Sequence, residues 1–429
     1  MVIFRGNRMH SQSEQDDDRL ASLAVVLPLA LTGFVVAAGC WTLFAVAGVH
    51  LRADLGLSSL QFGVLLAMPM AVSAILAIPA GLAAQRYGAR EVMLLCLCGL
   101  AVCMGILLLT DTYIGYLVAA AGLGLAGGFY GAGLQFVISH CDQRRLGLVL
   151  GVFGAGVTGA GFNYYLVPLF NEAFSWQGVP MAYLITLLLV IALLIMLTDA
   201  TNEEDESRER SVREILGVIR RGRNLPLCLY FGVVAGSFFA LALWLPDFLS
   251  GQYQLSLDDG ARLAQWFVIP GAVAQAIGGG LSDRYGSARV AARSLAACLL
   301  SLLVLSYPPM TLFITGVDRV LVVEFVLPVS LESGLVVVLG VAMGTAMGSL
   351  QRMVILANRQ EASLFAGVLL VSACAIAFVL PVAFGGLNQW LGVRTAVFMI
   401  LFLLLSGSLL LFSRHARREE RNMLLHPGI

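Results

Sequence analysis

Two short polar motifs in the chain combine an acid or an amide with an arginine and a glycine at matching positions. The first is 81-GLAAQRYGAR-90 and the second is 279-GGLSDRYGSAR-289, and their residues correspond at an offset of 198. Glycine allows helices to approach closely, and neighbouring acid and arginine side chains form charge-assisted hydrogen bonds. We therefore predict a gate at each motif, formed by Gln85, Arg86, Gly88, Asp283, Arg284 and Gly286. Gln85 stands where the second motif has its acid, which predicts a weaker first gate.

Long apolar windows must position these motifs. Of 429 residues, 59% are hydrophobic and 12% are charged, which is about half the charged fraction of a soluble domain. A helix that crosses a bilayer needs about 20 mostly apolar residues. Twelve such windows are present, at about 21–48, 60–83, 91–110, 113–138, 146–170, 178–198, 226–248, 261–282, 291–313, 334–356, 362–386 and 393–413. The predicted fold is an all-α integral membrane protein with twelve transmembrane helices in two pseudo-symmetric six-helix bundles.

The arginines predict the orientation in the membrane. If the N-terminus is cytoplasmic, 22 of the 26 arginines lie in inside segments, as the positive-inside rule requires. Both termini are therefore expected in the cytoplasm. The predicted domains are an N-terminal tail (1–20), a first bundle (21–198), a cytoplasmic linker (199–225), a second bundle (226–413) and a C-terminal tail (414–429).

The linker is the longest polar interior segment. Its stretch 211-SVREILGVIRR-221 spaces apolar residues at helical intervals with arginines between them. This pattern favours an amphipathic helix on the cytoplasmic face of the membrane, and a solvated linker is equally consistent with its acidic end. A protein partner could bind here.

The second motif resembles the signature loop of the major facilitator superfamily, a twelve-helix fold of secondary transporters. Within that superfamily the chain resembles the nitrate/nitrite porter branch in four segments, at 40–69, 129–169, 239–257 and 344–367. The resemblance implies alternating access, in which two bundles rock about a site near the middle of the bilayer.

The resemblance also implies two anion-binding arginines that this chain lacks. In the nitrate/nitrite branch, one arginine in the second span and one in the eighth clamp the oxyanion, and a guanidinium suits this task because it is a planar fork of donors. The corresponding positions here are Ala77 and Gln275, and 154-GAGV-157 stands where the branch has Gly-Ala-Gly-Asn. An anion without a cationic partner would lose on the order of several kcal/mol of solvation at this depth. These departures disfavour nitrate.

Three functions are consistent with this pattern. The leading expectation is a secondary transporter of iron, because the chain is similar in length and plan to transporter proteins of the bacterial magnetosome membrane, implicated in iron supply for magnetite biomineralisation. The first alternative is nitrate or nitrite transport through Arg352 and neutral donors. The second is a transport-inactive sensor or scaffold. The expected location is a bacterial inner membrane or the magnetosome membrane.

The resemblance places the substrate among the first, fourth, seventh and tenth spans, with contributions from their neighbours. Met343 and Met347 lie on one helix face, and thioethers are soft ligands for transition metals, although such a stripe also serves packing. Asp247, near the outer end of span seven, is expected to be wetted, and a proton or cation role is a less favoured alternative for it. The predicted substrate-binding residues are Cys40, Asn163, Tyr164, Gln275, Met343, Met347 and Arg352; the metal ligands, if there are any, stay unknown.

The other expectations concern partners and excluded functions. No cofactor is expected. The sequence has no nucleotide-binding loop and no metal-hydrolase spacing, which argues against an enzyme. Because membrane orientation accounts for the arginines, nothing indicates nucleic-acid binding. The expected partners are the lipid bilayer, a small inorganic ion, a coupling proton and a protein at the cytoplasmic linker.

Overall fold

The apolar windows form long α-helices. A computed structural model describes residues 23–141, 146–174, 176–198, 217, 224–315, 320–358 and 362–425. The helices are α1 (Leu23–Leu55), α2 (Ser59–Tyr87), α3 (Ala89–Leu109), α4 (Tyr113–Ser139), α5 (Leu146–Gly154 and Thr158–Phe174), α6 (Gly178–Leu197), α7 (Asn224–Tyr253), α8 (Leu257–Tyr285), α9 (Ser287–Leu305), α10 (Val329–Ala357), α11 (Ala362–Leu391) and α12 (Ala396–Leu425). The N-terminal tail and the predicted amphipathic helix at 211–221 lie outside the described residues, apart from Gly217.

Ten of these helices, counted over the described ranges, are long and apolar enough to cross a membrane. The two others are α5, which a 3₁₀ turn at Ala155–Val157 divides, and α8, which carries Asp258 and Asp259 in its first turn. The chain is therefore a multi-pass helical membrane protein. Twelve crossings and a pseudo-twofold relation between the bundles stay predictions.

The segment between α9 and α10 adds a short β-hairpin to an otherwise helical fold. Strands β1 (Met310–Thr315) and β2 (Val320–Phe325) pair antiparallel, with Met310 opposite Phe325 and Thr315 opposite Val320. Each strand has six residues, which is too short for a membrane span, and β2 reads VLVVEF. Because β-branched residues pack well on a pleated surface, this stretch forms a hairpin.

Residues 23–198 (the N-terminal half) and 224–425 (the C-terminal half) meet along two helix pairs. In the first pair, Gly63 of α2 lies against the Pro381 carbonyl of α11. In the second, Gly151 of α5 lies against Ala276 of α8. Small residues let these backbones come close.

Candidate functional site

A central cavity lies between the two halves. The N-terminal half contributes α1, α4 and α5, and the C-terminal half contributes α7, α8, α10 and α11. The cavity is lined by Phe34, Trp41, Tyr130, Gly154, Val157, Phe231, Phe239, Gln275, Met347, Leu370 and Ala373. None of these lining residues is charged, so the cavity presents aromatic surface with a few neutral polar groups.

Those polar groups form a hydrogen-bonded chain across the two halves. Gln275 Nε2 donates to Gln351 Oε1 over 3.1 Å, and Gln351 Nε2 donates to the Tyr130 hydroxyl over 3.0 Å. Within the described part of the chain, Trp41 Nε1 and Gln275 Oε1 are buried without a hydrogen-bond partner. Tyr130 still has its own hydrogen to donate, and Gln275 has a second amide hydrogen. A ligand in the cavity would therefore meet neutral N–H and O–H donors, together with one free acceptor, Gln275 Oε1.

Sequence reasoning did not select three of these residues. Trp41, Tyr130 and Gln351 were absent from the predicted binding set. A helical signal for Gln351 was nevertheless available, because it follows Met347 by four residues and so lies on the same face of α10. Trp41 and Tyr130 reach the cavity only through the packing of α1 and α4 against the C-terminal half.

The structure brings two of the predicted binding residues, Gln275 and Met347, to the cavity wall. Asn163 instead joins helices of the N-terminal half, donating to the Gly39 carbonyl over 2.6 Å and accepting from the Tyr183 hydroxyl. Tyr164 donates across the halves to the Ala242 carbonyl. Cys40 and Met343 are fully buried in the packed core.

Arg352 of α10 contacts the second motif, at the end of the helices that is cytoplasmic in the predicted orientation. Its guanidinium donates to the Asp283 carboxylate through Nε and to Ser287 Oγ through Nη1 over 3.0 Å. Gly147 of α5 abuts this pair, since a Cβ there would lie 2.6 Å from Asp283 Oδ1. The acid–arginine interaction at this motif thus involves Arg352 rather than Arg284, which is exposed.

The two motif glycines occupy equivalent junctions. Gly88 separates α2 from α3 and Gly286 separates α8 from α9, each as a single residue between helices. Beside Gly88, Gln85 is half-buried and the Arg86 guanidinium lies 5.4 Å from the Tyr87 ring centroid. Both motifs therefore form tight helix junctions.

At the opposite end of the interface, which is the outer end in the predicted orientation, an ion pair and a histidine–carboxylate contact join the halves. Arg52 Nη1 of α1 lies 2.6 Å from Asp247 Oδ1 of α7, and His50 Nε2 lies 3.5 Å from Asp258 Oδ1 of α8. The expectation of a wetted Asp247 is wrong, because only 7% of the residue is exposed. The structure thus has closed contacts at both ends of the central cavity.

Metal chemistry has little support in this arrangement. No group of three or more His, Cys, Asp or Glu residues able to hold a metal ion occurs in the portion of the chain that the structure describes. The cavity wall offers one thioether, from Met347, and no carboxylate.

Long apolar helices surround a central cavity, and contacts between the two halves close it at both ends. This arrangement defines a multi-pass membrane protein of the secondary-transporter class. The chain belongs to the Major Facilitator Superfamily, whose family model matches residues 29–355.

Similar proteins include several nitrate and nitrite transporters. The chain is 27% identical to a probable nitrate/nitrite antiporter NarK1 of Thermus thermophilus, across 94% of this chain and 93% of that protein. It is 26% identical to the nitrite extrusion protein of Bacillus subtilis, across 71% of this chain and 73% of that protein.

A solved structure shares the fold. The human organic anion transporter MFSD10 (TETRAN) aligns with a TM-score of 0.66 at 15% identity, across 89% of this chain and 99% of that one. At this identity the match supports the architecture alone.

Proposed function

We propose that this protein is a secondary transporter of nitrate or nitrite that works by alternating access in a bacterial inner membrane, with both termini in the cytoplasm. The observation that carries the substrate is the central cavity, which has no carboxylate in its wall and has three neutral hydrogen-bond donors. The nitrate and nitrite transporters among the relatives support the same substrate class. This was the alternative in the sequence-based interpretation, and it has better support than iron.

The cavity chemistry suits a small planar anion. Three neutral donors line the cavity: Trp41 Nε1–H, the Tyr130 hydroxyl and the Gln275 amide. A hydrogen bond to a charged group contributes about 1.5–3 kcal/mol, so three such bonds are comparable with a desolvation cost of several kcal/mol. A weakly held anion at this site can therefore be released readily, as transport requires.

Iron fits the same cavity poorly. Hard cations prefer carboxylate and carbonyl oxygens, and softer transition metals prefer imidazole or thiolate. Met347 alone supplies a soft ligand at the cavity wall, and Gln275 supplies a neutral amide oxygen. Magnetosome iron transport would need a ligand set that these residues do not provide.

Uptake into proteoliposomes tests the substrate. Labelled nitrate, labelled nitrite and ferrous iron are supplied in parallel. One set of liposomes is loaded with nitrite to detect exchange, and another has a proton gradient across the membrane to detect proton coupling. We expect nitrate or nitrite uptake without iron uptake. Iron uptake without either anion would overturn the proposal.

Two variants connect that uptake to the cavity. Trp41→Phe keeps an aromatic ring but removes a donor, and Gln275→Leu keeps the volume but removes the amide. Each should raise the KM for nitrate about tenfold, the effect of losing one charge-assisted hydrogen bond. Trp244→Phe is the matched control, since Trp244 is buried against Phe62 and Phe384. An unchanged KM in both cavity variants would contradict this site.

A further inference from the structure

We propose that Arg52 and Arg394 form an anion-binding site at the outer end of the interface, and that the Asp247 carboxylate occupies it while the outer side is closed. This inference rests on the proposed function, because it names where the anion first meets a positive charge. The central cavity has no charged side chain in its wall, so positive charge that attracts an anion lies elsewhere on the anion's path.

Three side chains from different parts of the chain converge on this site. Arg52 of α1 donates through Nη1 to Asp247 Oδ1 over 2.6 Å and through Nη2 to Ser59 Oγ over 2.9 Å. Arg394, in the loop between α11 and α12, donates through Nη1 to the Asp247 carbonyl over 3.4 Å and lies 4.0 Å from Asp247 Oδ2. One arginine comes from the N-terminal half, while Asp247 and the other arginine come from the C-terminal half.

Charge and burial both favour an external anion here. The two guanidinium groups and one carboxylate leave one positive charge unneutralised. The Asp247 side chain is 9% exposed, whereas those of Arg52 and Arg394 are 23% and 32% exposed. Within the described residues, Asp247 Oδ2 is buried without a hydrogen-bond partner. An anion arriving from outside therefore reaches the arginines before it reaches the carboxylate.

Neighbouring residues hold the two guanidinium groups in place. Gly251 follows Asp247 by one helical turn and so lies on the same face of α7. A Cβ at Gly251 would overlap the Arg394 guanidinium, so the glycine makes room for it. On the other side, the Arg52 guanidinium lies 5.3 Å from the Phe62 ring centroid, a distance at which a cation is attracted to the ring.

The chemistry of the carboxylate explains the exchange. A carboxylate and a nitrate or nitrite ion are planar, carry one negative charge and present two oxygens to a guanidinium fork. When the halves separate at the outer end, Arg52 moves away from Asp247, and an external anion can replace the carboxylate on Arg52. Arg394 stays beside Asp247 on the C-terminal half and adds positive charge to the opened site. The anion and Asp247 thus compete for Arg52, and a bound anion favours the open outer side.

The test distinguishes an anion-binding site from an ion pair that only holds the two halves together. It uses variants for which these two hypotheses predict different effects on nitrate uptake. The measurement is the outer-side KM for labelled nitrate uptake, together with the nitrate-dependent rise in thermal unfolding temperature relative to gluconate at equal ionic strength. We expect Arg52→Gln and Arg394→Gln each to raise the KM about tenfold, the loss of one charge-assisted contact. Asp247→Asn should lower the KM and enlarge the nitrate-dependent stabilisation, because it removes the competitor.

A simple closure predicts another pattern. Arg52→Gln and Asp247→Asn break the same ion pair, so both would then change the KM in the same direction, and Arg394→Gln would have no effect. That pattern would overturn the anion site. Arg262→Gln is the matched control, since Arg262 is an exposed arginine near the outer end of α8.

Two further variants keep the test valid if a charge-removing variant folds poorly. Arg394→Lys retains the charge and should preserve much of the nitrate response, whereas Gly251→Ala retains every charge but displaces Arg394 and should weaken that response. If the wild-type protein transports no nitrate, the proposed function fails, and the stabilisation still decides the site. A nitrate response that is the same in wild type and in all the variants would overturn it.

Discussion

The two motif glycines have nearly the same backbone conformation, although they are 198 residues apart. Gly88 has φ 91° and ψ 137°, and Gly286 has φ 87° and ψ 131°. A residue with a side chain rarely adopts this region of φ and ψ, whereas glycine enters it freely. Each glycine lets one helix end and the next begin after a single residue. At the residue scale, backbone geometry therefore explains why the motif contains glycine.

Gly286→Ala tests that explanation. A Cβ at Gly286 would meet no atom within 4 Å, so only backbone strain opposes the substitution. We expect it to destabilise the protein by about 1–3 kcal/mol, seen as a lower unfolding temperature in detergent. Gly407→Ala is the control, because Gly407 is also in open space but lies inside α12. Equal stability of the two variants would contradict the strain argument.

At the scale of elements, α8 and α10 pack backbone against backbone. A Cβ at Gly344 would overlap the Gly271 carbonyl, and one at Gly348 would overlap the Gln275 carbonyl. Small residues permit this approach, and dispersion across the close contact stabilises it. The same contact positions Gln275 and Gln351 within hydrogen-bond distance, so the glycines of α10 determine the geometry of the cavity wall.

Gly344→Ala should therefore force α8 and α10 apart. We expect a loss of about 1–3 kcal/mol in unfolding free energy, the usual cost of overpacking, accompanied by a higher KM for nitrate. Gly334→Ala is a matched control on the same helix, because a Cβ at Gly334 meets nothing within 4 Å. That control should be neutral or stabilised by up to about 1 kcal/mol, since alanine favours helix. The prediction is wrong if the two variants behave alike.

At the scale of the whole molecule, contacts between the halves close both ends of the central cavity. In the predicted orientation, the outer end has the Arg52–Asp247 ion pair, and the cytoplasmic end has Gly147 of α5 against Asp283 of α8. Alternating access requires each closure to open in turn. Covalent connection of the halves at one end should therefore stop transport, while connection within one half should not.

Leu148→Cys combined with Gly280→Cys tests this requirement in a background without the native cysteines. A Cβ at Gly280 would lie 3.9 Å from Leu148 Cδ1, so the new thiols are close and Gly280 has room for a side chain. We expect oxidation or a short thiol cross-linker to abolish uptake. Reduction of a disulfide formed by oxidation should restore uptake. Asn224→Cys with Asn358→Cys is the control within the C-terminal half, where these side chains are 3.1 Å apart. Full uptake by the cross-linked α5–α8 pair would exclude rocking at this interface.

The sequence by itself determined the features that depend on local chemistry. Apolar length predicts a spanning helix because the bilayer has a fixed thickness, and the ten apolar helices follow the predicted windows within several residues. The glycine of each motif was recognised from the repeat, but the close helix approach predicted for it does not occur at Gly286, where a Cβ would meet nothing within 4 Å and the constraint lies in the backbone. The strands at 310–315 and 320–325 were not predicted, because the window at 291–313 takes in most of the first strand, and a short β-branched run reads equally well as part of an apolar span.

Only the tertiary structure decided which side chains meet. Asp247 and Arg52 are 195 residues apart in the chain, and Tyr130 and Gln351 are 221 apart. No local pattern encodes such a pairing, since it depends on how the helices of the two halves pack. Arg352 illustrates the limit, because its position on a helix was predicted from the sequence, whereas its pairing with Asp283, 69 residues away in the chain, was not. Burial and partner choice are properties of packing, and local sequence does not encode them.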